Sequence, residues 1–573
     1  MFEGRIAELL AKEMKGKGIS KESILKLLEK PSRSELGDMA FPCFILAKKS
    51  RKNPAEIAKE LAEKLNKKKP EDISKINAVK GYVNFFFNAS LIAKGIIKRL
   101  LDEKDEFGSG KTGRNKKIVI DFSGPNIGKP MHIGHIRSTI LGDSLLRIFD
   151  FQGYNVKGIN YLGDIGLHIG KMIVAYELWL DKEALKDNPV DELLRLYIKF
   201  CDKEKIEYNE DFEEELQDNE WTNKAKEKLR LLELGDKKTT EIWHEIIRVS
   251  KEGFNEIYKI LNVSFHEITG QSLFSEKGKQ IIAQALKEGK AKLESDGAVY
   301  AEFQDLPKKY VLRSNGTASY ITQDIGAAVE RYRKYKFDRM IYVTDFRQEM
   351  HFRQLFALLK EWGYDFSDKL LHIGFGTINF GGEIMETRKG KIILLNDVLE
   401  KTIVKAKEEI KKRKTKGNAA DIGVGAIKYA ILKNAPAKDV NFSWEQALNF
   451  EGDSGPYLQY SHARACSILR KTDINKVNPK ADFSVLDNPK EQALIKILSE
   501  FPETCKNASE QFSPNIIANY AYNLSKTFND FYEACPVLKA GKEKEARLLL
   551  VAAVRQVLKN ALNLLGIEAI EEM

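Results

Sequence analysis

A doubly wound parallel α/β sheet, preceded by an α+β amino-terminal domain and followed by an all-α helical bundle, is the architecture that this 573-residue sequence predicts. Three observations lead there. Between Lys117 and about Leu399 short apolar, strand-like runs alternate with helical patterns, the order that buries a parallel sheet under helices. Before that stretch, helical patterns frame two strand-like segments, and after Glu400 the pattern is helical to the end. A chain of this length exceeds one core and fits about three to four domains.

In the first domain, residues 1–105, helical spacing covers 6–14, 20–28 and 54–65, with strand-like segments at 39–47 and 79–87. A charged stretch with Gly108, Gly110 and Gly113 reads as a linker. The second domain, 115–400, offers strands at 118–122, 156–161, 298–303, 339–343 and 371–375, and carries a charged insertion near 182–243. Within it, Asp211-Phe212-Glu213-Glu214-Glu215 lacks calcium-loop spacing and reads as a solvated helical face. In the third domain, 401–573, Leu548, Leu549, Ala552, Val557, Leu558, Ala561, Leu562 and Leu565 recur near helical spacing. Arg555 and Lys559 interrupt that surface, which makes it a bundle helix and not a membrane span.

Composition is that of a globular chain, with 43% hydrophobic residues and ten more basic than acidic side chains, a mild signal for a polyanionic partner. No apolar run reaches the ~18 residues of a membrane span, and Met1-Phe2-Glu3-Gly4-Arg5 lacks a secretion signal. Cys43, Cys201, Cys466, Cys505 and Cys535 lie far apart with no Cys-x-x-Cys pair. That fits a reducing cytoplasm and argues against a disulfide framework or a zinc knuckle.

The chemistry concentrates in one turn. Ile118-Val119-Ile120 is followed by Asp121-Phe122-Ser123-Gly124-Pro125-Asn126-Ile127-Gly128-Lys129-Pro130-Met131 and then by His132-Ile133-Gly134-His135. Ile136, Ile140, Leu145, Ile148 and Phe149 then recur near helical spacing. Strand, Gly/Pro-rich turn and helix place unpaired N–H groups beyond the carboxyl end of a strand, where α/β sheets bind anions. Two imidazoles three residues apart, with Gly134 letting a ligand approach the backbone, add donors for charge building on a phosphoryl group. A lone histidine here reads as a helix cap; two of the chain's eight histidines beside Gly134 favour the anion. Neither a cysteine nor an acidic third ligand lies at local spacing for zinc.

A second cluster suits a planar cation. In Gly316-Thr317-Ala318-Ser319-Tyr320-Ile321-Thr322-Gln323-Asp324 a turn opens a helix on which Tyr320 and Asp324, four apart, share a face. A carboxylate accepts two parallel hydrogen bonds from a guanidinium, a fork that lysine lacks. Asp121 offers a second carboxylate, and Asn126 and Gln348 offer neutral groups suited to an α-ammonium and α-carboxylate. By spacing alone, Tyr320 and Asp324 are the wet edge of an amphipathic helix.

These segments carry a resemblance. His132-Ile133-Gly134-His135 resembles the HIGH motif of class I aminoacyl-tRNA synthetases, and Ser123-Gly124-Pro125-Asn126-Ile127-Gly128-Lys129-Pro130-Met131 is similar to the arginyl type in particular. Further similar stretches are Gly37-Asp38-Met39-Ala40-Phe41, Gly81-Tyr82-Val83-Asn84-Phe85, Asp453-Ser454-Gly455-Pro456-Tyr457-Leu458-Gln459-Tyr460-Ser461-His462-Ala463-Arg464 and Leu564-Leu565-Gly566-Ile567 with Met573. The resemblance is weak at 182–241 and strong at 119–147, 311–328 and 453–470.

It implies a Rossmann-like catalytic domain, ATP and L-arginine as substrates, magnesium accompanying the nucleotide, no protein-bound structural metal, and tRNA(Arg) as partner. The family is usually a cytoplasmic monomer without membrane attachment, and its adenylate formation commonly needs bound tRNA. The amino-terminal domain would hold the outer corner of the tRNA; packing alone is the other reading. The bundle's tyrosines would stack on anticodon bases, while Phe528, Phe531 and Tyr532 read as core. The resemblance assigns catalysis to His132, His135 and Lys129. It assigns arginine to Asn126, His135, Tyr320, Asp324 and Gln348, with Gln354 as the alternative to Gln348; Asp121, Gly124 and Pro125 complete the expected arginine site, and Pro125, Gly128, His132, Gly134, His135, Arg388 and Lys389 are the expected nucleotide site. Where the family's mobile KMSKS motif lies, this chain has Ile384-Met385-Glu386-Thr387-Arg388-Lys389-Gly390-Lys391, with Ile384 and Thr387 replacing the motif lysines. Lys129 is then the expected source of positive charge. The rival readings are a class I synthetase for another amino acid, a small-molecule nucleotidyltransferase, and an RNA-binding protein descended from a synthetase.

Overall fold

The computed structural model describes residues 2–15, 19–31, 33–204, 219–380, 394–472, 477–478 and 481–573. They group into two compact units, one of residues 1–104, 468–500 and 527–554, the other of 105–467, 501–526 and 555–573. Among the described residues no helix is long and apolar enough to cross a membrane.

In the first unit β1 (Met39–Pro42), β2 (Ile73–Val79) and β3 (Tyr82–Phe87) form an antiparallel sheet in the order β1-β3-β2. Lys80 and Gly81, both with positive φ (48° and 89°), make the two-residue hairpin turn between Val79 and Tyr82. The strand-like run 79–87 is thus broken at a turn, and 39–47 likewise gives way from β1 to a helix, Phe44–Ser50. The three expected helices are Phe2–Glu13, Lys21–Leu27 and Pro54–Asn66. Asn53 caps the last by accepting from the Ala55 N–H, with Pro54 in its first turn. Ile6, Leu10 and Leu61 pack with Phe41, Val83 and Phe85. Farther along the chain in this unit Phe528 and Phe531 are buried as expected, but Tyr532 is 42% exposed.

The second unit is organised by five parallel strands, β4 (Lys117–Asp121), β5 (Asn155–Leu162), β6 (Glu267–Gly270), β10 (Arg339–Asp345) and β11 (Leu370–Phe375), in the order β11-β10-β4-β5-β6. The chain runs from β4 outward to β6 and then returns to lay β10 on the other side of β4. The direction of winding therefore reverses between β4 and β10, the position where open α/β sheets bind ligands. Four of the five expected strands lie here. The fifth, expected at 298–303, contributes β8 (Val299–Ala301) to a separate antiparallel sheet with β7 (Lys292–Leu293) and β9 (Lys309–Leu312). A small parallel pair, β12 (Ile378–Phe380) and β13 (Val440–Phe442), follows.

The charged insertion is helical, Lys182–Asp187, Pro189–Glu204, Glu220–Glu233 and the start of Lys237–Ile260; the acidic run 211–215 lies outside the described residues. A buried Lys171–Glu204 pair at 2.6 Å, completed by Thr222 Oγ1 donating to Glu204 at 2.6 Å, fixes its base. The expected linker is packed: a Cβ at Gly108 would meet the Phe501 ring at 2.6 Å, and one at Gly113 the Tyr154 ring at 2.2 Å. Close approach explains those glycines better than flexibility does.

Candidate active site

Asp121 ends β4, and the turn that follows is forced into an uncommon shape. Ser123 and Gly124 both have positive φ (75° and 59°), a conformation unfavourable for serine. Hydrogen bonds hold it there. The Ser123 N–H donates to Ser138 Oγ (2.9 Å), and its hydroxyl meets Tyr258 (2.7 Å) and Thr139 (2.9 Å). Asn160 Oδ1 accepts from Gly124 N–H at 3.0 Å and Ser250 Oγ from Gly128 N–H at 2.9 Å. Residues 125–127 then pair with Gly163, since Gly163 N–H donates to Pro125 and Ile127 N–H donates to Gly163. Asn126 lies so close to Gly163 that a Cβ there would sit 2.1 Å from Asn126 Oδ1.

His132 caps the helix Ile133–Phe151. Its Nδ1 accepts from Gly134 N–H (3.0 Å), and His135 Nδ1 accepts from His132 N–H (3.2 Å). The capping reading of the sequence is therefore realised, and it has a chemical consequence. A ring nitrogen that accepts from the backbone carries no proton, so in each neutral ring the proton sits on Nε2, the donor farthest from the backbone. The rings lie 3.9 Å apart. Burial, with His132 and Lys129 nearby, pushes the His135 pKa well below that of ordinary histidine, so at neutral pH it is an uncharged donor. Lys129 Nζ sits 4.9 Å from the Tyr197 ring of the insertion.

The same helix is held from behind by Arg137, 2% exposed. Its guanidinium donates to the carbonyls of Gly376 (2.8 Å), Thr377 (3.0 Å), Pro436 (2.9 Å) and Lys438. At the helix start Leu395 N–H donates to Met131 O at 2.9 Å, and His132 pairs with Leu394. Arg388 and Lys389 lie outside the described residues.

Tyr320 opens the helix Tyr320–Tyr335 and is 39% exposed. One turn on, Asp324 Oδ2 lies 2.7 Å from His351 Nε2. Asp121 was expected to serve a ligand directly, yet one of its oxygens is already engaged inside the protein: Arg331 Nη1 donates to Oδ2 at 2.7 Å. Burial leaves the Asp121 carboxyl above its ordinary range although Arg331 pulls it down, and Asp324 raises it further. The two carboxylates are therefore close enough to feel one another. Gln348 is exposed at the end of the turn after β10, whereas Gln354 is buried and donates to Pro307 O at 2.9 Å. Sequence reasoning missed Arg331, His351, Tyr258, Asn160 and Ser138. Arg331 follows Asp324 by seven positions, two turns along one helix face, the one local signal that pointed to it.

Arginine-type class I chemistry is also what the chain resembles as a whole. Residues 96–444 match the catalytic domain of the class I (R) tRNA synthetases, 4–87 the arginyl-tRNA synthetase N-terminal domain, and 458–573 the DALR anticodon-binding domain. An arginine–tRNA ligase of Clostridioides difficile is 39% identical, covering 97% of both chains, and one of Alkaliphilus metalliredigens is 38% identical over the whole of both. The solved arginyl-tRNA synthetase of Thermus thermophilus superposes with a TM-score of 0.78 at 26% identity, covering all of both chains. With three domain models in register and full-length relatives at this identity, the chain belongs to the arginyl-tRNA synthetase family.

Proposed function

We propose that the protein joins L-arginine to tRNA(Arg) in two displacements. The arginine carboxylate attacks the α-phosphorus of ATP, forming the acyl–phosphate bond as the bond to pyrophosphate breaks. The 2′-hydroxyl of the terminal adenosine then attacks the acyl carbon, its proton is lost, and AMP leaves. Neither step needs a covalent bond to the protein, so positioning and electrostatics carry the rate.

The observation that carries this reading is that one strand end, β4, leads on one side to a donor-lined turn and on the other to a paired set of carboxylates. In this reading the Nε2–H groups of His132 and His135 and the backbone about Gly128 and Gly134 hold phosphate oxygens. Lys129 adds charge, as do Arg388 and Lys389, and magnesium arrives with the nucleotide. Asp324, Tyr320 and the second oxygen of Asp121 take the guanidinium, and Gly124, Pro125, Asn126, His135 and Gln348 surround the amino-acid end. Lysine is rejected because a pocket made for a planar fork leaves its carboxylates badly paired with an ammonium. The DALR match supports tRNA as partner through the anticodon, and the cytoplasm is the proposed site of action, with a single chain as the working unit.

ATP–pyrophosphate exchange across the amino acids, with and without tRNA, tests this. Exchange with arginine alone, appearing when tRNA is added, is the expected result. Exchange with another amino acid reassigns the pocket, and no exchange under any condition overturns the ligase reading.

A further inference from the structure

Arg331 is a charged member of the pocket to which the proposed reaction gives no task. It is 3% exposed, and the centre of its guanidinium lies 4.5 Å from the Tyr161 ring centroid. Nη1 donates to Asp121 Oδ2 and the Tyr342 hydroxyl lies beside the guanidinium, while neither Nε nor Nη2 has an acceptor in good hydrogen-bond geometry among the described residues. The hydroxyls of Tyr161 and Tyr342 and Oε1 of Gln323 are likewise buried without a partner in that geometry there. A guanidinium placed for packing or stability alone is expected to be forked onto its carboxylate and otherwise satisfied. This one is held on a single oxygen, which leaves Asp121 Oδ1 available to a ligand.

The charges complete the argument. Asp121 at the end of β4 faces Arg331 and Asp324 from the helix Tyr320–Tyr335, Tyr161 from β5 and Tyr342 from β10. Asp164, just beyond β5, reaches Tyr161, and His351 of the helix Glu349–Glu361 holds Asp324. Burial keeps both tyrosines protonated, raising Tyr161 well above its usual range and Tyr342 as well. Asp121 and Asp324 together would set two negative charges against the single positive charge of a guanidinium, and without Arg331 the buried Asp121 carboxyl would favour its protonated form. With Arg331 present the balance is one negative charge, equal and opposite to the side chain of arginine.

We infer that Arg331 is a positioning residue of the arginine pocket, holding Asp121 by one oxygen and offsetting one carboxylate charge so that Asp121 and Asp324 together meet the incoming guanidinium with a net charge of minus one. The inference rests on the pocket assigned above.

The test is the pH dependence of the arginine KM in tRNA aminoacylation by the full-length enzyme, for Arg331→Gln, Arg331→Lys, Asp121→Asn and the Arg331→Gln/Asp121→Asn double variant. Without the Arg331 charge, Asp121 takes up a proton, so Arg331→Gln should raise the arginine KM about 30-fold near pH 6.5 and about 5-fold near pH 9, with kcat and the ATP KM within about 2-fold. Added to Asp121→Asn, which removes the titrating group and leaves Asp324 and Arg331 with no net charge, it returns that charge to minus one and should lower the arginine KM relative to Asp121→Asn alone. Because the observed contact is single-point, Arg331→Lys should keep a flat pH profile, and it decides the matter should Arg331→Gln fail to fold. An equal KM increase at every pH, a multiplicative effect in the double variant, or a pH-dependent loss in Arg331→Lys overturns the inference. Unchanged arginine KM in both Asp121→Asn and Asp324→Asn would instead show that the pocket lies elsewhere.

Discussion

The turn at 123–135 and the pocket around Asp121, Asp324 and Arg331 start from the same strand and follow opposite plans. In the turn the donors are backbone N–H groups and two histidines from one contiguous stretch, and its bends are tied down by Ser138, Asn160, Ser250 and Tyr258. In the proposed arginine pocket the polar groups are side chains from β4, β5, β10 and two helices, and several of their atoms have no partner in good hydrogen-bond geometry among the described residues. The first plan suits a ligand common to every class I synthetase, a phosphate chain, which fixed dipoles hold without reorganisation. The second suits the one substrate that distinguishes this family, whose side chain must be read by charge and geometry.

The sharpest way to break the contrast is His132→Asn. Asparagine preserves the cap, because its side-chain oxygen accepts from the backbone as Nδ1 does, so the melting temperature should stay within about 2 °C. The Nε2–H donor is lost, so arginine- and tRNA-dependent pyrophosphate exchange should fall about 100- to 1,000-fold. Full exchange activity would mean that the histidine serves the helix alone.

Asp324→Asn probes the other plan. Loss of one charged hydrogen bond should raise the arginine KM about 100-fold, leaving the ATP KM and tRNA affinity within about 2-fold. If the ATP KM rises equally, the two regions are not separable.

A smaller effect is expected from acid. His168, whose Nε2 lies 3.1 Å from Gly163 O beside the turn, is pushed down to about 3 by burial and by the nearby Lys129. The unfolded chain binds that proton near 6.5, and so between about pH 6.5 and 3 the unfolded state holds the extra proton and stability falls as pH falls. In urea unfolding, His168→Gln should flatten that loss between about pH 6.5 and 4 and change nothing of the pH dependence above about 8. Asp121 has the opposite sign, since its raised pKa lets the native state take a proton first and its contribution grows on acidification. An unchanged acid slope in the His168 variant would remove this distinction.

Legibility in the sequence follows the same division. The turn was readable because strand, glycines, histidines and helix are contiguous, and local periodicity placed Ile136, Ile140 and Leu145 in the core, where all three are buried. The pocket was readable through Tyr320 and Asp324, one turn apart, and through Asp121 at the end of its strand, but its internal pairings were not. Arg331 and Asp121 are 210 positions apart and His351 and Asp324 27 apart, contacts that the sheet order creates and no local pattern announces. Length explains the missed strand: β6 is the four residues Glu267–Gly270 at the sheet edge, with no alternation to detect. The strand expected at 298–303 was recognised by composition, but composition does not reveal whether a strand's partners are parallel or antiparallel.

Arg137 has a bearing on how this protein tolerates sequence drift. It grips four carbonyl oxygens and no side chain. Every amino acid carries a carbonyl, proline included, so Thr377, Pro436 and Lys438 can change identity while the grip on the helix behind His135 persists. Gly376 is the exception, since a Cβ there would meet Asp439 Oδ1 at 2.5 Å. The restraint rests on Arg137, Gly376 and Asp439, which accepts from Thr377 N–H at 2.7 Å and Thr377 Oγ1 at 3.0 Å, so few side chains need to stay fixed for the histidines to keep their place.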